Sequence, residues 1–457
     1  MFLINWGEIT GRIDPSSFRK FRAFQSDKFP IAKMGEVVEI NPSVSFLDID
    51  KDTDVSFIPM ERIDENFGEL KQTTTKKIGD SAGFTRFGEG DLLWAKITPC
   101  MQNGKSAVAK NLVNDLGCGS TEFFVIRPKD NTILIEYIHF ILRDERVLHF
   151  AQNYFGGAAG QQRVSKDFLL YLPIPIPDMS TQQTIVSIMN EAYEQKKKKV
   201  QEADELLKSI NDYILDVLGI CLPTKEQDGL NDRIFYIKSN DVLGQRLDPA
   251  YHMKKYVDFI HSVELGKYQT KKLNHFIKQI TYGASVDNHY AEEGIPLLRI
   301  KDLCPNEIIG DDIVYLPRSF ENKVASSRVN EGDILISRSG TIGVCSVVNR
   351  QFDGYAFGSF MIKVSVENIE PKYISYILNS PIGAIFFERN RIGAIQGNIT
   401  IPVIQSVPIP VPNSSVQREI IEHIDSIRDR VNHLKNEAEN SVENAKIEVE
   451  RILLGDK

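Results

Sequence analysis

Cysteine is scarce and scattered: Cys100, Cys118, Cys221, Cys304 and Cys345 are the only five, and no two form a C-x-x-C pair. Neither a disulfide framework nor a zinc cluster is indicated, which suits a reducing cytoplasm. No apolar run approaches the roughly 18 residues of a membrane-spanning helix. The first residues lack a basic stretch leading into a long apolar run, so no secretory signal is expected. The eight histidines include no H-x-x-x-H or H-E-x-x-H pair, and no Ser/His/Asp arrangement stands out, so neither a metal nor a cofactor is expected in this chain. Positive charge is also in deficit, with 54 Lys and Arg against 62 Asp and Glu and a net charge of −8. That excludes coating nucleic acid through bulk charge but leaves room for a local basic surface. Lys71 to Lys129 is such a stretch, where nine Lys and Arg outnumber the acids.

Several fragments imitate catalytic signatures without their chemistry. Asn103-Gly104-Lys105-Ser106 ends like a P-loop, but Pro99 stands where the first glycine of the phosphate cradle is required. Ile40-Asn41-Pro42-Ser43 lacks the second proline and the aromatic with which an amino-methyltransferase loop stacks on a flipped base, and reads as a turn. Asp178, Glu194 and Lys196 have the spacing of a metal-dependent nuclease. However, a helix between Asp178 and Glu194 separates them by about 24 Å of rise, so they cannot converge on a cation.

What is present is an internal repeat with an offset of roughly 235–242 residues. Gly11-Arg12-Ile13-Asp14-Pro15 returns as Gln245-Arg246-Leu247-Asp248-Pro249, and Glu89-Gly90-Asp91-Leu92-Leu93 as Glu331-Gly332-Asp333-Ile334-Leu335. Glu136-Tyr137-Ile138 is echoed by Lys372-Tyr373-Ile374, and Leu172-Pro173-Ile174-Pro175-Ile176-Pro177 by Val407-Pro408-Ile409-Pro410-Val411-Pro412. A glutamine, Gln182 or Gln417, follows each proline run. The chain is a tandem duplication. Short runs rich in branched and aromatic residues, bounded by Gly, Pro and Asp, predict a β-rich globular portion in each half. The alternating prolines cannot lie in a central strand or a helix interior, and predict extended straps leading into a helix.

Residues 180–218 and 414–454 contain no proline or glycine. Ala203, Leu207, Ile210, Ile214 and Val217 in the first, and Ile420, Ile424, Ile427, Val431, Leu434, Ala438 and Ala445 in the second, follow the 3-4 spacing of a coiled-coil seam. Each helix would be a rod of about 60 Å. A helix of that length, apolar on one stripe, needs a partner, and the other copy supplies one. An approximate two-fold between the halves makes the pair antiparallel. The lysine run 196–199 interrupts the first seam and reads as a solvated face, or else as a strip that contacts phosphates. The expected fold is α+β, two copies of a β-rich domain plus a long helix, with the helices forming an antiparallel coiled coil. The expected segments are a first domain 1–179, a helix 180–218, a linker 219–245, a second domain 246–413 and a second helix 414–457.

Gly90-Asp91-Leu92-Leu93-Trp94-Ala95-Lys96-Ile97-Thr98-Pro99-Cys100 with Asn103-Gly104-Lys105, then Gly119-Ser120-Thr121-Glu122-Phe123, resembles the target-recognition domain of type I restriction-modification specificity subunits. Gly160-Gln161-Gln162-Arg163-Val164-Ser165 and Gln396-Gly397-Asn398-Ile399 are similar to that family's text before the proline strap. The second half departs from the first: Ser339-Gly340-Thr341-Ile342-Gly343 replaces Thr98-Pro99-Cys100, and no intact counterpart of Ser120-Thr121-Glu122-Phe123 is visible. The resemblance implies a non-catalytic reader of double-stranded DNA in the cytoplasm. Each domain would read one part of a two-part target, and the helices would set the gap. Two methyltransferase subunits carrying S-adenosylmethionine would dock on the helices, and motor-nuclease subunits would complete a cleaving complex. The alternative is a stand-alone DNA-modifying or cleaving enzyme with duplicated recognition domains.

Long polar side chains in loops are the physical candidates for contacting DNA, since Arg matches guanine and Asn or Gln matches adenine in the major groove. In the first domain these are Lys76, Lys77, Arg86, Lys96, Gln102, Asn103, Lys105, Gln161, Gln162 and Arg163. In the second they are Arg299, Lys301, Arg338, Ser339, Thr341, Gln396 and Asn398. The lysines among them suit phosphates better than bases. Trp94 lies in an apolar strand pattern and is expected in the core.

Overall fold

The computed structural model describes residues 24, 28–46, 49–158, 161–222, 236–237, 246, 248–286, 290–393 and 397–455. The repeat markers Gly11 to Pro15, Gln245 and Leu247, most of the expected linker, and the candidate Gln396 lie outside the described residues. Two compact units are present: Met1–Gln201 with Leu434–Lys457, and Glu202–His433.

The first unit holds two four-stranded sheets. One is ordered Thr74–Lys77, Asp54–Ile58, Leu116–Gly119, Thr85–Gly88, with a parallel central pair and antiparallel flanks. The other is fully antiparallel, ordered Val38–Ile40, Phe123–Pro128, Leu92–Ala95, Ser106–Val108. Because side chains alternate along a strand, Leu92 and Trp94 join a core shared with the helix Ile135–Arg143, while Leu93 joins a separate core with Phe87 and Ile58. The strand Leu92–Ala95 is therefore buried on both faces, and Trp94 stacks between Phe124 and Phe168 with ring centroids at 6.4 and 6.0 Å.

The second unit repeats this plan. An antiparallel sheet is ordered Ile277–Tyr282, Met361–Val366, Ile334–Ser337, Cys345–Val347. Beside it, Val314–Leu316, Ile295–Leu298 and Ala356–Phe357 reproduce the antiparallel-then-parallel order of the first unit's other sheet. Ile334 and Ile336 face the helical core and Leu335 the opposite one.

The repeated Glu-Gly-Asp text is a turn built from backbone needs. Gly90 and Gly332 take positive φ values of 81° and 88°, a region that favours glycine. Asp91 and Asp333 each accept the backbone N–H three residues earlier, at 2.7 and 2.8 Å. Asp91 also pairs with Arg127 at 2.7 Å and Asp333 with Lys363 at 3.4 Å.

Each proline strap forms a two-stranded ribbon, Pro173–Pro175 with Ile31–Lys33 and Pro408–Pro410 with Thr270–Lys272. Ladder bonds fall on Leu172 and Ile176, skipping the donorless prolines. Tyr137 and Tyr373 each donate a hydroxyl to a strap carbonyl, Pro175 and Pro410, at 2.8 Å. The glutamine that follows each strap is a buried latch. Gln182 donates to the Pro177 and Thr132 carbonyls at 2.9 Å and accepts from Leu134 N at 2.8 Å. Gln417 donates to Pro412 O at 2.9 Å and accepts from Glu370 N at 3.2 Å.

The long helices are Met179–Leu218 and Ser414–Leu454. Asp178 accepts from Thr181 N at 2.9 Å and Asn413 from Val416 N at 3.0 Å, so both caps satisfy free backbone donors at the helix start. The backbone and hydroxyl donors of Thr181 hold the Asp178 carboxyl below its ordinary range. Within the first unit the helices pair antiparallel: Met189 and Ala192 pack with Val442 and Ala445, and Lys196 meets Glu439 while Lys199 meets Glu437. Within the second unit they do so again, with Ile214 against Ile420 and Ile424, Tyr213 stacked on His423 at 3.9 Å, and Glu202 paired with Arg430. Ala203, Ile214, Ile420, Ile424, Val431, Leu434, Ala438 and Ala445 are buried; Leu207, Ile210, Val217 and Ile427 are half-buried, and Leu218 is buried beside Val217.

The lysine run corrects the sequence reading. Lys196, Lys197 and Lys199 bind Glu439, Glu69 and Glu437 at 2.9, 2.8 and 3.2 Å. The 4-3 spacing continues from Ala192 through Lys196 and Lys199 to Ala203, so two of these lysines occupy seam positions. The run is neither a wholly solvated face nor a strip of unpaired cations.

Candidate nucleic-acid interface

Three segments distant in sequence meet in the first unit. Lys96, directly after the buried strand, donates its N–H to Glu122 O and accepts from Val164 N, both at 2.9 Å, and Thr98 N donates to Gln162 O at 2.9 Å. The stretches around Lys96-Ile97-Thr98-Pro99, Thr121-Glu122 and Gln162-Arg163 thus lie side by side. Across them Arg163 binds Glu122 through paired nitrogens, with Nη2 to Oε1 at 2.7 Å. This bond from Arg163 holds the Glu122 carboxyl below its ordinary value.

The structure also gathers part of the basic set. Arg86 and Lys96 line a cleft of about 330 Å³ with Asn41, Thr85 and Thr121. The Lys76 ammonium lies 4.8 Å from the Phe57 ring and 5.1 Å from Phe84, the Arg86 guanidinium 4.6 Å from Phe46, and the Lys96 ammonium 5.5 Å from Phe124. Such stacking holds cations in place while leaving their donors available. Burial raises the Cys118 thiol pKa, opposed by the charges of both Lys76 and Arg86.

Other candidates are engaged elsewhere. Lys77 pairs with Asp54 at 3.0 Å and Lys105 with Glu65 at 3.6 Å. Gln102 and Asn103 are exposed on the turn closed by Asn103 N to Pro99 O, and Gln161 is exposed beside Gln162. Ser106, after the P-loop-like text, opens a strand and bonds His139 at 3.1 Å; no helix starts there to cradle a phosphate.

In the second unit the same crossing is built from different residues. Arg338 N donates to Phe360 O and Arg338 O accepts from Ile399 N, each at 2.9 Å, and Ser339 bridges Asn398. Arg338, Phe360 and Asn398 therefore occupy the backbone positions of Lys96, Glu122 and Arg163. Sequence reasoning missed Phe360, because Gly358-Ser359-Phe360-Met361 shares too little text with Ser120-Thr121-Glu122-Phe123 to be aligned by eye. Arg338 lies 4.8 Å from the Tyr282 ring. Thr341 is exposed at the turn, its carbonyl accepting from Ser337 Oγ at 2.6 Å. Arg299 is held by Asp302 at 3.4 Å and by Asp312, to which Lys301 also pairs. Among the described residues no group of His, Cys, Asp and Glu could hold a metal, and no helix is long and apolar enough to cross a membrane.

The comparisons with known proteins agree with this duplicated architecture. The type I restriction modification DNA specificity domain matches the chain twice, at residues 27–208 and 259–444. The type I restriction enzyme EcoEI specificity subunit of Escherichia coli is 25% identical, over 88% of this chain and 78% of its own length. The EcoAI specificity subunit, also of Escherichia coli, is 36% identical over 33% of this chain and 25% of its own. A chain solved for the structural basis of complex assembly and conformational transition of the type I R-M system is similar over 93% of this chain and 97% of itself. Its TM-score is 0.51 at 17% identity, a likeness of fold. With two such domains in tandem, this chain belongs to the type I restriction-modification DNA specificity family.

Proposed function

We propose that this chain is the non-catalytic specificity subunit of a type I restriction-modification complex, its first domain (1–179) reading one part of a split DNA target and its second (246–413) the other. The observation that carries this is the duplicated three-segment crossing, one scaffold bearing Lys96, Glu122 and Arg163 in one copy and Arg338, Phe360 and Asn398 in the other. Two readers with the same backbone and different side chains suit a target whose two parts differ. The stacked cations Lys76, Arg86 and Lys96 supply a local positive surface for phosphates on an otherwise acidic chain. The long helices set the unread gap and dock two modification subunits, which bring the S-adenosylmethionine; motor-nuclease subunits add cleavage. A stand-alone modifying or cleaving enzyme is not favoured, since both family matches are to the specificity domain.

The test is single-molecule sequencing of DNA from cells that express this chain with its neighbouring methyltransferase. Methyladenine in one gapped two-part motif, lost when the chain is omitted, is the expected result. Exchange of residues 246–413 for those of a relative should change one half of the motif only. A continuous motif, or methylation that persists without the chain, would overturn the reading.

A further inference from the structure

The second domain carries an exposed aromatic where the first carries a charge. Phe360 is 52% exposed, yet its neighbour Met361 is fully buried in the central sheet, so the phenyl stands on an anchored backbone. Tyr282 and Ile392 are also exposed large apolar side chains, and Ile392 bridges Asn398. The Arg338 guanidinium lies over Tyr282, and its Nε is buried with no hydrogen-bond partner among the described residues. A buried donor left unpaired is costly unless a ligand satisfies it.

In the first domain Glu122 and Arg163 satisfy each other, so a ligand approaching there meets a closed ion pair. In the second, the equivalent positions hold a phenyl and an amide that cannot neutralise one another, beside the half-buried Arg338 guanidinium stacked on Tyr282. These are the groups that match base edges in the major groove: guanidinium for guanine, amide for adenine, and an apolar face for the thymine methyl.

Resting on the proposed function, we infer that Arg338, Phe360 and Asn398 form a base-reading contact of the second domain, with Phe360 a specificity-determining residue packed on a thymine methyl. The two halves of the target are then read by different chemistry: an apolar contact flanked by donors in one, and polar groups around a closed ion pair in the other.

The experiment uses the full chain co-expressed with its methyltransferase, reading the methylated motif by single-molecule sequencing for wild type, Phe360→Ala, Phe360→Leu and Asn398→Ala. Phe360→Ala should lower the preference at one base pair of one half by roughly 5- to 100-fold, leaving the other half and the gap unchanged. Phe360→Leu, which keeps apolar bulk, should retain the preference, and Asn398→Ala should relax a position in the same half. Thermal unfolding of purified Phe360→Ala should match wild type, because the side chain is half outside the core. An unchanged motif in Phe360→Ala, or an even fall at all sites with no change of preference, overturns the inference while leaving the specificity-subunit reading intact. A wild-type chain that directs no two-part motif overturns that reading, and the inference with it.

Discussion

The Lys196 side chain, only 12% exposed, reaches the carboxylate of the solvent-exposed Glu439 on the opposing long helix at 2.9 Å, from a seam position that lies with Lys199 between the buried Ala192 and Ala203. A charge in such a seam weakens the pairing while fixing its register. Lys196→Met should therefore keep the thermal midpoint or raise it, since an ion pair whose carboxylate stands in solvent contributes little and Met keeps the apolar stem in the seam. Lys196→Glu, facing Glu439, should lower it. Calorimetric unfolding of the three proteins decides; a clear loss in Lys196→Met would show that the ion pair outweighs its desolvation.

Asp333 and Lys363 form a buried pair, with Lys363 also donating to Arg328 O at 2.8 Å. Asp333→Ala strands the ammonium and frees Asn330 N, and should cost about 3–5 kcal/mol in chemical unfolding. The double change Asp333→Ala with Lys363→Leu should recover much of that loss. Equal losses in the single and double variants would place the cost in the turn and not in the charge.

Gln182 satisfies three backbone groups from inside the core, so Gln182→Ala leaves them unpaired. At about 1–3 kcal/mol for each buried group left unsatisfied, the variant should be among the most damaging polar changes in the first unit. Gln182→Glu can still accept from Leu134 N but cannot donate to Thr132 and Pro177, and should fare little better. Hydrogen exchange at Leu134 and along the strap reads the loss, with Gln417→Ala as its counterpart in the second unit.

His139 is buried against Ser106, and burial, followed by the nearby charge of Arg143, pushes its pKa down to about 3. The folded pKa lies below the unfolded value, so the unfolded chain takes up a proton first as pH falls. The stabilisation is thus present above about pH 6.5 and is lost as pH drops toward 3, at about 1.4 kcal/mol per pH unit for one proton. His139→Gln, which can still bond Ser106, should flatten the pH dependence of first-unit unfolding by about one proton. An unchanged slope would mean that His139 titrates normally.

The duplication, the proline straps and the two long helices were legible because each rests on local chemistry. Proline fixes φ and removes a donor wherever it stands, and a 3-4 apolar spacing makes one stripe of any helix seek a partner. Trp94 was readable as core for a similar reason, from its place in a continuous apolar strand. The lysine run could have been read as well: counting the 4-3 steps onward from Ala192 lands on Lys196 and Lys199, a signal hidden by expecting seam residues to be apolar.

The positions proposed to read DNA were brought together by tertiary structure. Lys96, Glu122 and Arg163 are far apart in sequence, and only sheet pairing brings them together. The same pairing sets Phe360 opposite Arg338 through backbone hydrogen bonds, which are indifferent to side-chain identity and leave no trace in the text. Charge partners followed the same rule: Arg299 with Asp312, Lys77 with Asp54, and Lys105 with Glu65 are fixed by where the chain returns, so composition could list these cations but not say which were already occupied.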